Sequence, residues 1–375
     1  MVYLDNAGTT QVLSECMDVY LKYQTEEFFN PSAPYHNALV LAKEIKKARE
    51  ELLKCLHAHN GQIIFTSSGS ESDNLALFGS KKTHGSRIIV SKNEHPAIFE
   101  TAMELKQRGY DVVFCDVDNT GRIDEKKFEE LITDNTSLVS VMHVNNETGC
   151  INDVKKLCRI AKSKNPEIIF HSDGVQAFGK INVDLSDMGV DLYTVSGHKI
   201  HAPKGVAALY VKNGINLRPL IFGGGQEFGI RSSTENVGGI LSFTYAAKTA
   251  VAHISDNISK IKALREDLIK FFNELGCLTV DSDFQSQYIL CAAMKFVRGE
   301  VMLHSLEKYG ILIGTGSACS SKKGVKKLPS VLKLPPEYEN GIIRISFSRF
   351  TSENDIEYFK KCFKTEYFNL IKYVK

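Results

Sequence analysis

Apolar runs of strand length alternate with helical patterns through the first two-thirds of this chain, and that rhythm constrains the fold more than any other feature. The runs are Ile63–Thr66, Arg87–Val90, Val112–Cys115, Leu138–Val144, Ile168–His171, Asp191–Val195 and Val206–Val211. Strands alternating with helices predict an α/β fold with a mainly parallel sheet covered on both faces. From about Ser232 to Phe272 a long helical pattern with few breakers is expected to link two domains. After it the rhythm changes: Tyr288–Phe296 alternates, Glu300–Tyr309 is amphipathic, Ile342–Phe347 reads as a strand and Glu353–Tyr373 as a closing helix. This predicts a smaller α+β domain, which the first dozen residues join, or else they join the cleft.

Polar clusters sit just past these runs: residues 67–71, 93–95, 145–147 and 171–176, with Lys199 as a fifth. Ligands of open α/β sheets bind beyond the carboxyl ends of the strands, so one sheet would bring all five to one edge. Ser67-Ser68-Gly69-Ser70-Glu71 opens a helix, where free N–H groups and hydroxyls suit a phosphate or, more simply, an ordinary N-cap. Asp173 ends a strand and could face a cationic ring nitrogen, with Gln176 donating to a ring oxygen; a loop aspartate capping a turn is the plain alternative. Lys199 ends the next strand, beside Gly197 and His198, and suits an amine that forms a Schiff base. Lys204 is its local competitor. His95, before Pro96, could stack on a planar cofactor and exchange protons, or could cap a helix. Together these residues suggest pyridoxal 5'-phosphate.

Cys319 differs from the other cysteines. The chain has nine, an odd number without CxxC pairs, which argues against a disulfide framework and a structural zinc site. Cys115, Cys150 and Cys291 lie in or beside apolar runs and read as small buried hydrophobes. Cys319 lies among glycines, serines and lysines, the setting of an exposed, reactive thiolate. Arg344 interrupts an alternating strand, and its guanidinium could clamp a substrate carboxylate or simply face solvent. The formal charge is +2, so no broad field favours nucleic acid or membrane. No apolar run spans a bilayer, and the N-terminus lacks a signal-peptide layout, so a cytoplasmic location is expected.

With these residues assembled, the chain resembles the NifS/IscS-type cysteine desulfurases of group I, pyridoxal phosphate enzymes of fold-type I related to class V aminotransferases. The resemblance rests on Tyr3-Leu4-Asp5-Asn6-Ala7, Asn30-Pro31-Ser32, Glu94-His95, Val144-Asn145-Asn146-Glu147-Thr148-Gly149, Ser196-Gly197-His198-Lys199, Arg231-Ser232-Ser233-Thr234 and the Gly-Ser-Ala-Cys loop. It implies a large domain of seven-stranded type over residues 15–255, and a small domain of 1–14 plus 256–375 carrying Cys319 and Arg344. It implies that Lys199 holds the cofactor and moves the substrate's α-proton. Asp173 would face the pyridine nitrogen, Asn146 and Gln176 the ring oxygen. His95 would stack on the ring, and Gly69, Ser70, Ser196 and His198 would hold the phosphate. Thr234 would reach a neighbouring subunit's phosphate, which implies a homodimer. Arg344, with Asn30, would bind the L-cysteine carboxylate, and Cys319 would take the sulfur as a persulfide, leaving L-alanine.

The implied sulfur acceptor is a scaffold for iron–sulfur clusters or a tRNA-thiolation enzyme. No metal, membrane or direct nucleic-acid contact is expected. Gly69-Ser70 stands where many members have Ala-Thr, which keeps a hydroxyl and a small residue. Lys322, Lys323, Lys326 and Lys327 make the segment after Cys319 unusually basic, suited to lowering the thiol pKa or guiding an acidic acceptor. The chain ends soon after its last helix, where housekeeping members continue into a tail that docks an iron–sulfur scaffold, so docking through such a tail is not expected. A selenocysteine lyase or class V aminotransferase on the same fold, and a catalytically silent scaffold paralogue, are the alternatives.

Overall fold

The computed structural model describes residues 1–315 and 327–372. Its strands are β1 (Val2–Leu4), β2 (Gly61–Thr66), β3 (Arg87–Ser91), β4 (Asp111–Cys115), β5 (Thr136–Ser140), β6 (Ile169–Asp173), β7 (Leu192–Ser196), β8 (Ala207–Lys212), β9 (Leu278–Val280), β10 (Ile289–Ala293), β11 (Ile311–Ile313) and β12 (Ile342–Ser346). Among the described residues the main sheet has seven strands in the order β2-β8-β7-β6-β5-β3-β4. Only β8 runs against its neighbours. The expected mainly parallel α/β fold is therefore borne out. The reversal has a local cause: β8 returns directly from β7 without a crossover helix, as antiparallel neighbours can.

The sheet is covered on both faces because successive strand residues point to opposite sides. Ile89, Val139, Phe170 and Tyr193 enter one core cluster, while Ile88, Leu138, Ile169 and Leu192 enter another. Strands β6 and β7 are buried throughout. That explains why they read as continuous apolar runs rather than alternating ones. A separate core cluster joins Val2, Leu4, Ile261, Leu268, Phe272, Leu290, Ile343, Ile345 and Phe363. It surrounds the antiparallel sheet β12-β10-β9 and the parallel pair β1-β11.

Two expectations need correction. The run Leu138–Val144 is a strand only to Ser140; Val141, Met142 and Val144 stay buried but bend away, and Val144 bridges Ile151. The alternating stretch Tyr288–Phe296 supplies β10, all five of whose residues are buried. The long helix from Ser232 is two helices, Val237–Ala252 and Ile254–Glu274, parted at His253. The first residues extend β11 and then bridge Ser346 through Asp5 before running into the cleft.

Candidate active site

A cavity of about 370 Å³ opens at the carboxyl ends of the central strands, lined by Ser68, Gly69, Ser70, Asp173, Gln176, Ser196, His198, Lys199 and Arg344 among others. One end is anion-binding by construction. Ser68 caps the helix Gly69–Gly79, and its side chain accepts from the Glu71 N–H. The N–H groups of Gly69 and Ser70 belong to the first turn, where no intrahelical acceptor exists. The hydroxyl of Ser196 is buried and lacks a hydrogen-bond partner. A Cβ on Gly69 would come within 3.1 Å of Val175 Cγ2, so a small residue keeps this cradle open.

Asp173 ends β6 at the floor of the same cavity. One carboxylate oxygen accepts the Val175 N–H at 2.8 Å. Burial pushes its pKa up to about 6, against the opposing pull of that N–H and of Lys199. A ring cation placed against it would restore the ionised form. Lys199 follows β7 in a single 3-10 turn, Gly197–Lys199. Gly197 is pressed there: an added Cβ would meet Ala202 at 3.0 Å and Phe243 at 3.1 Å. The Lys199 ammonium donates to the carbonyls of Ala7 (2.6 Å) and Gly8 (2.5 Å). Burial first, then Arg344, brings its pKa down to about 8, with Asp5 and Asp173 opposing. Its rival Lys204 is exposed and lies outside the cavity.

His95 caps a helix and also lines the cavity. Its Nδ1 accepts from Ala97 N–H as the cap of the helix Pro96–Gln107, and the ring lines the cavity. With Nδ1 an acceptor, the neutral imidazole carries its proton on Nε2. Burial, then Lys199, lowers its pKa to about 4. Arg344, on β12, reaches in from the other core: Nη1 donates to Asn146 O at 2.8 Å and Nη2 to Asp5 Oδ1 at 2.6 Å. Its Nε is buried with no hydrogen-bond partner.

Two candidates stand apart. Asn30 is exposed and its side chain accepts from Ser32 N–H. Thr234 lines a different cavity with Ser67, Arg231 and Glu227. Cys319, with Lys322, Lys323 and Lys326, lies outside the described residues. Three residues around the site had no role assigned from sequence. Lys180 is 5% exposed and donates to Gln176 Oε1, while Gln176 Nε2 donates to Ala7 O. Glu94 is buried, one oxygen accepting from Met142 N–H, and burial with nearby Asp173 raises its pKa. Asp5 holds Arg344. Glu94 and Asp5 lie in the motifs Glu94-His95 and Tyr3-Leu4-Asp5-Asn6-Ala7, which gave them no role; Lys180 had no signal.

A flat, anionic group of pyridoxal phosphate size fits this lining. A helix N-terminus and an unpartnered hydroxyl stand at one end, a buried carboxylate at the floor and an amine beside it. The family model "Aminotransferase class-V" matches residues 2–359. A "Cysteine desulfurase IscS" of Clostridium botulinum (strain Hall) is 38% identical over 366 residues, covering 95% of this chain and 92% of its own. Among solved structures, a "NifS-like protein" superposes with a TM-score of 0.91 at 32% identity, covering 98% of this chain and 99% of that one. "SspA in complex with cysteine" gives 0.81 at 30% identity, covering 94% of this chain and all (100%) of that one.

Proposed function

The chain belongs to the class-V aminotransferase family, and on that premise we propose that it is a cysteine desulfurase, converting L-cysteine to L-alanine and passing the sulfur to Cys319. The observation that carries the reading is the meeting of Lys199, Asp173, His95 and Arg344 in one cavity. Two of them come from adjacent strands and one from the other core. The family is pyridoxal phosphate-dependent. In this chain Gly69, Ser70, Ser196 and His198 would hold the phosphate, Asp173 the ring nitrogen, and Asn146 and Gln176 the ring oxygen, with His95 against the ring. Bound there, the cofactor supplies an electron sink for carbanion chemistry.

The chain's own groups do the rest. Arg344 binds the substrate carboxylate by charge-assisted hydrogen bonds. Lys199, with a pKa near 8, is partly neutral at physiological pH and moves the α-proton. His95 offers Nε2 for the proton that the product carbon takes up. Cys319 attacks the substrate sulfur: the S–S bond forms, the substrate Cβ–S bond breaks, and its electron pair stays on carbon and is protonated. One thiol and one L-cysteine give one persulfide and one L-alanine, with no external oxidant.

The core clusters part near His253, which supports a cofactor-binding domain of 15–255 and a small domain of 1–14 plus 256–375. A homodimer is supported by Thr234, placed away from its own Lys199, and by the apolar Phe222 and Phe228 in the same loop, 81% and 62% exposed. The persulfide would serve iron–sulfur cluster assembly or tRNA thiolation. No helix among the described residues is long and apolar enough to cross a membrane, which fits the cytoplasmic reading. The deciding measurement is intact mass of the holoenzyme after brief mixing with L-cysteine, then peptide mapping. Gain of one sulfur on Cys319, released by reductant, is expected. Undiminished sulfide release by Cys319→Ala would sink the assignment.

A further inference from the structure

Arg344 lies on a strand of one core and its guanidinium enters a cavity built by the other, so something must fix it. Two tethers do. Nη1 donates to Asn146 O at 2.8 Å and Nη2 to Asp5 Oδ1 at 2.6 Å. Asp5 is not itself part of the cavity lining. Its carboxylate is wedged between two glycines: an added Cβ on Gly8 would come within 2.5 Å of Asp5 Oδ2, and one on Gly314 within 2.7 Å of Oδ1. That same Gly314 position is 2.9 Å from both Arg344 Nε and Nη2. The Nε edge of the guanidinium therefore faces the backbone, not the cavity. Asp5 is held in turn by its bridge to Ser346, two residues along β12 from Arg344. The ion pair is well shielded, at 12% and 29% side-chain exposure.

A guanidinium carries two N–H bonds on each Nη. One on each is used by the protein, so one on each is left, and these make a fork for a carboxylate. We propose that Asp5 is a positioning residue for the substrate-carboxylate clamp, holding the Arg344 fork toward the cavity from behind. The inference rests on the desulfurase reading and deepens it. Asp5 acts through Arg344, so its main effect falls on carboxylate recognition; its charge also favours the protonated form of Lys199, a lesser influence on the chemical step. A competitor for Arg344 would line the cavity and yield its place to substrate. Asp5 does neither, being packed behind the guanidinium.

The test uses the pyridoxal phosphate-loaded enzyme with L-cysteine and with cysteamine (2-aminoethanethiol), which has the amine and thiol but no carboxylate. Binding of each is read from the change in cofactor absorbance, and turnover of L-cysteine gives KM and kcat. Asp5→Ala should raise the KM and apparent Kd for L-cysteine roughly tenfold or more, the value of a charge-assisted hydrogen bond. The kcat should change much less than the KM, as for loss of uniform binding. Cysteamine binding should not move. Asp5→Asn, which keeps an acceptor at Oδ1 and is the gentler change should Asp5→Ala fold poorly, should recover part of the loss. An unchanged or lower KM in both variants overturns the proposal, as does an equal loss of cysteamine binding, which would mean general damage to the site. Arg344→Ala tests the underlying reading separately: if it leaves L-cysteine binding intact, the clamp itself is wrong whatever Asp5 does.

Discussion

Lys180 is a buried lysine whose ammonium donates to the amide oxygen of Gln176 at 2.8 Å. That bond fixes the orientation of the amide, whose nitrogen donates to Ala7 O. Burial, then Lys199 and Arg344, lowers the Lys180 pKa to about 7. An unfolded lysine titrates near 10.4. Between those values the unfolded chain binds more protons than the folded one, so this residue's contribution to stability rises with pH across the window and is least favourable below pH 7. Lys180→Met removes that slope. The urea-unfolding free energy of the wild type minus that of the variant should therefore grow from about pH 7 to about pH 9, by at most roughly 1.4 kcal/mol per pH unit. Parallel pH profiles for the two proteins would show that Lys180 is not held neutral. Lys199, Asp173 and His95 were legible in the sequence because each follows an apolar run. Asp5 and Lys180 were not, because nothing nearby in the chain marks their roles: Asp5 meets Arg344 across 339 positions, and Lys180 is buried only by tertiary cover.

At the scale of elements, apolar runs disclosed burial well and hydrogen-bonding pattern less well. The segment after β5 shows why: Val141, Met142 and Val144 are as buried as the strand before them, yet their backbone turns to build the Asn145–Thr148 loop. Hydrophobicity reports the first property and is blind to the second. The loop Gly223–Thr234 illustrates a related gap. Its anchor is Glu227, which holds Arg49 through both carboxylate oxygens at 2.5 Å and also accepts Phe65 N–H at 2.8 Å. Glu227 and Phe228 both take positive φ, 50° and 59°, strain that only such a fixed contact sustains. Arg49 lies between the rings of Phe65 and Phe228, 4.7 and 5.0 Å from their centroids. Glu227→Ala strands a guanidinium that is 14% exposed, at a cost of about 3–5 kcal/mol in denaturant unfolding. The double replacement Arg49→Met, Glu227→Leu should recover most of this, because it removes both charges. A double variant no more stable than the single one would mean that the loop geometry, and not the buried charge, sets the cost.

For the whole molecule, the site lies where the two cores meet, and the first ten residues tie them together. Val2, Leu4 and Ala7 belong to the core around β10, and Ala7 N–H donates to Ser346 Oγ at 2.8 Å. Three residues on, Thr10 N–H and Oγ1 both donate to His198 O, and Thr10 Oγ1 accepts from His201 N–H. Between these anchor points the carbonyls of Ala7 and Gly8 receive the Lys199 ammonium. The chemistry-bearing turn of the large sheet is thus held by a segment rooted in the other core. Alternating strands and helices foretold the sheet, but strand periodicity cannot say that β1 will pair in parallel with β11, some three hundred residues away. Deleting residues 2–10 tests the arrangement. It removes the β1–β11 pair and the acceptors of Lys199 while leaving the seven-stranded sheet whole. Calorimetry of the intact protein should give one cooperative transition, and the truncated protein a calorimetric enthalpy exceeding its van't Hoff value as the two cores unfold separately. Pyridoxal phosphate should also bind more weakly, since Lys199 and Arg344 each lose a partner in that segment. A single transition at the original midpoint, with cofactor affinity retained, would show that the remaining contacts across the junction, such as Arg344 to Asn146 and the Cys150–Gln285 bridge, join the cores without it.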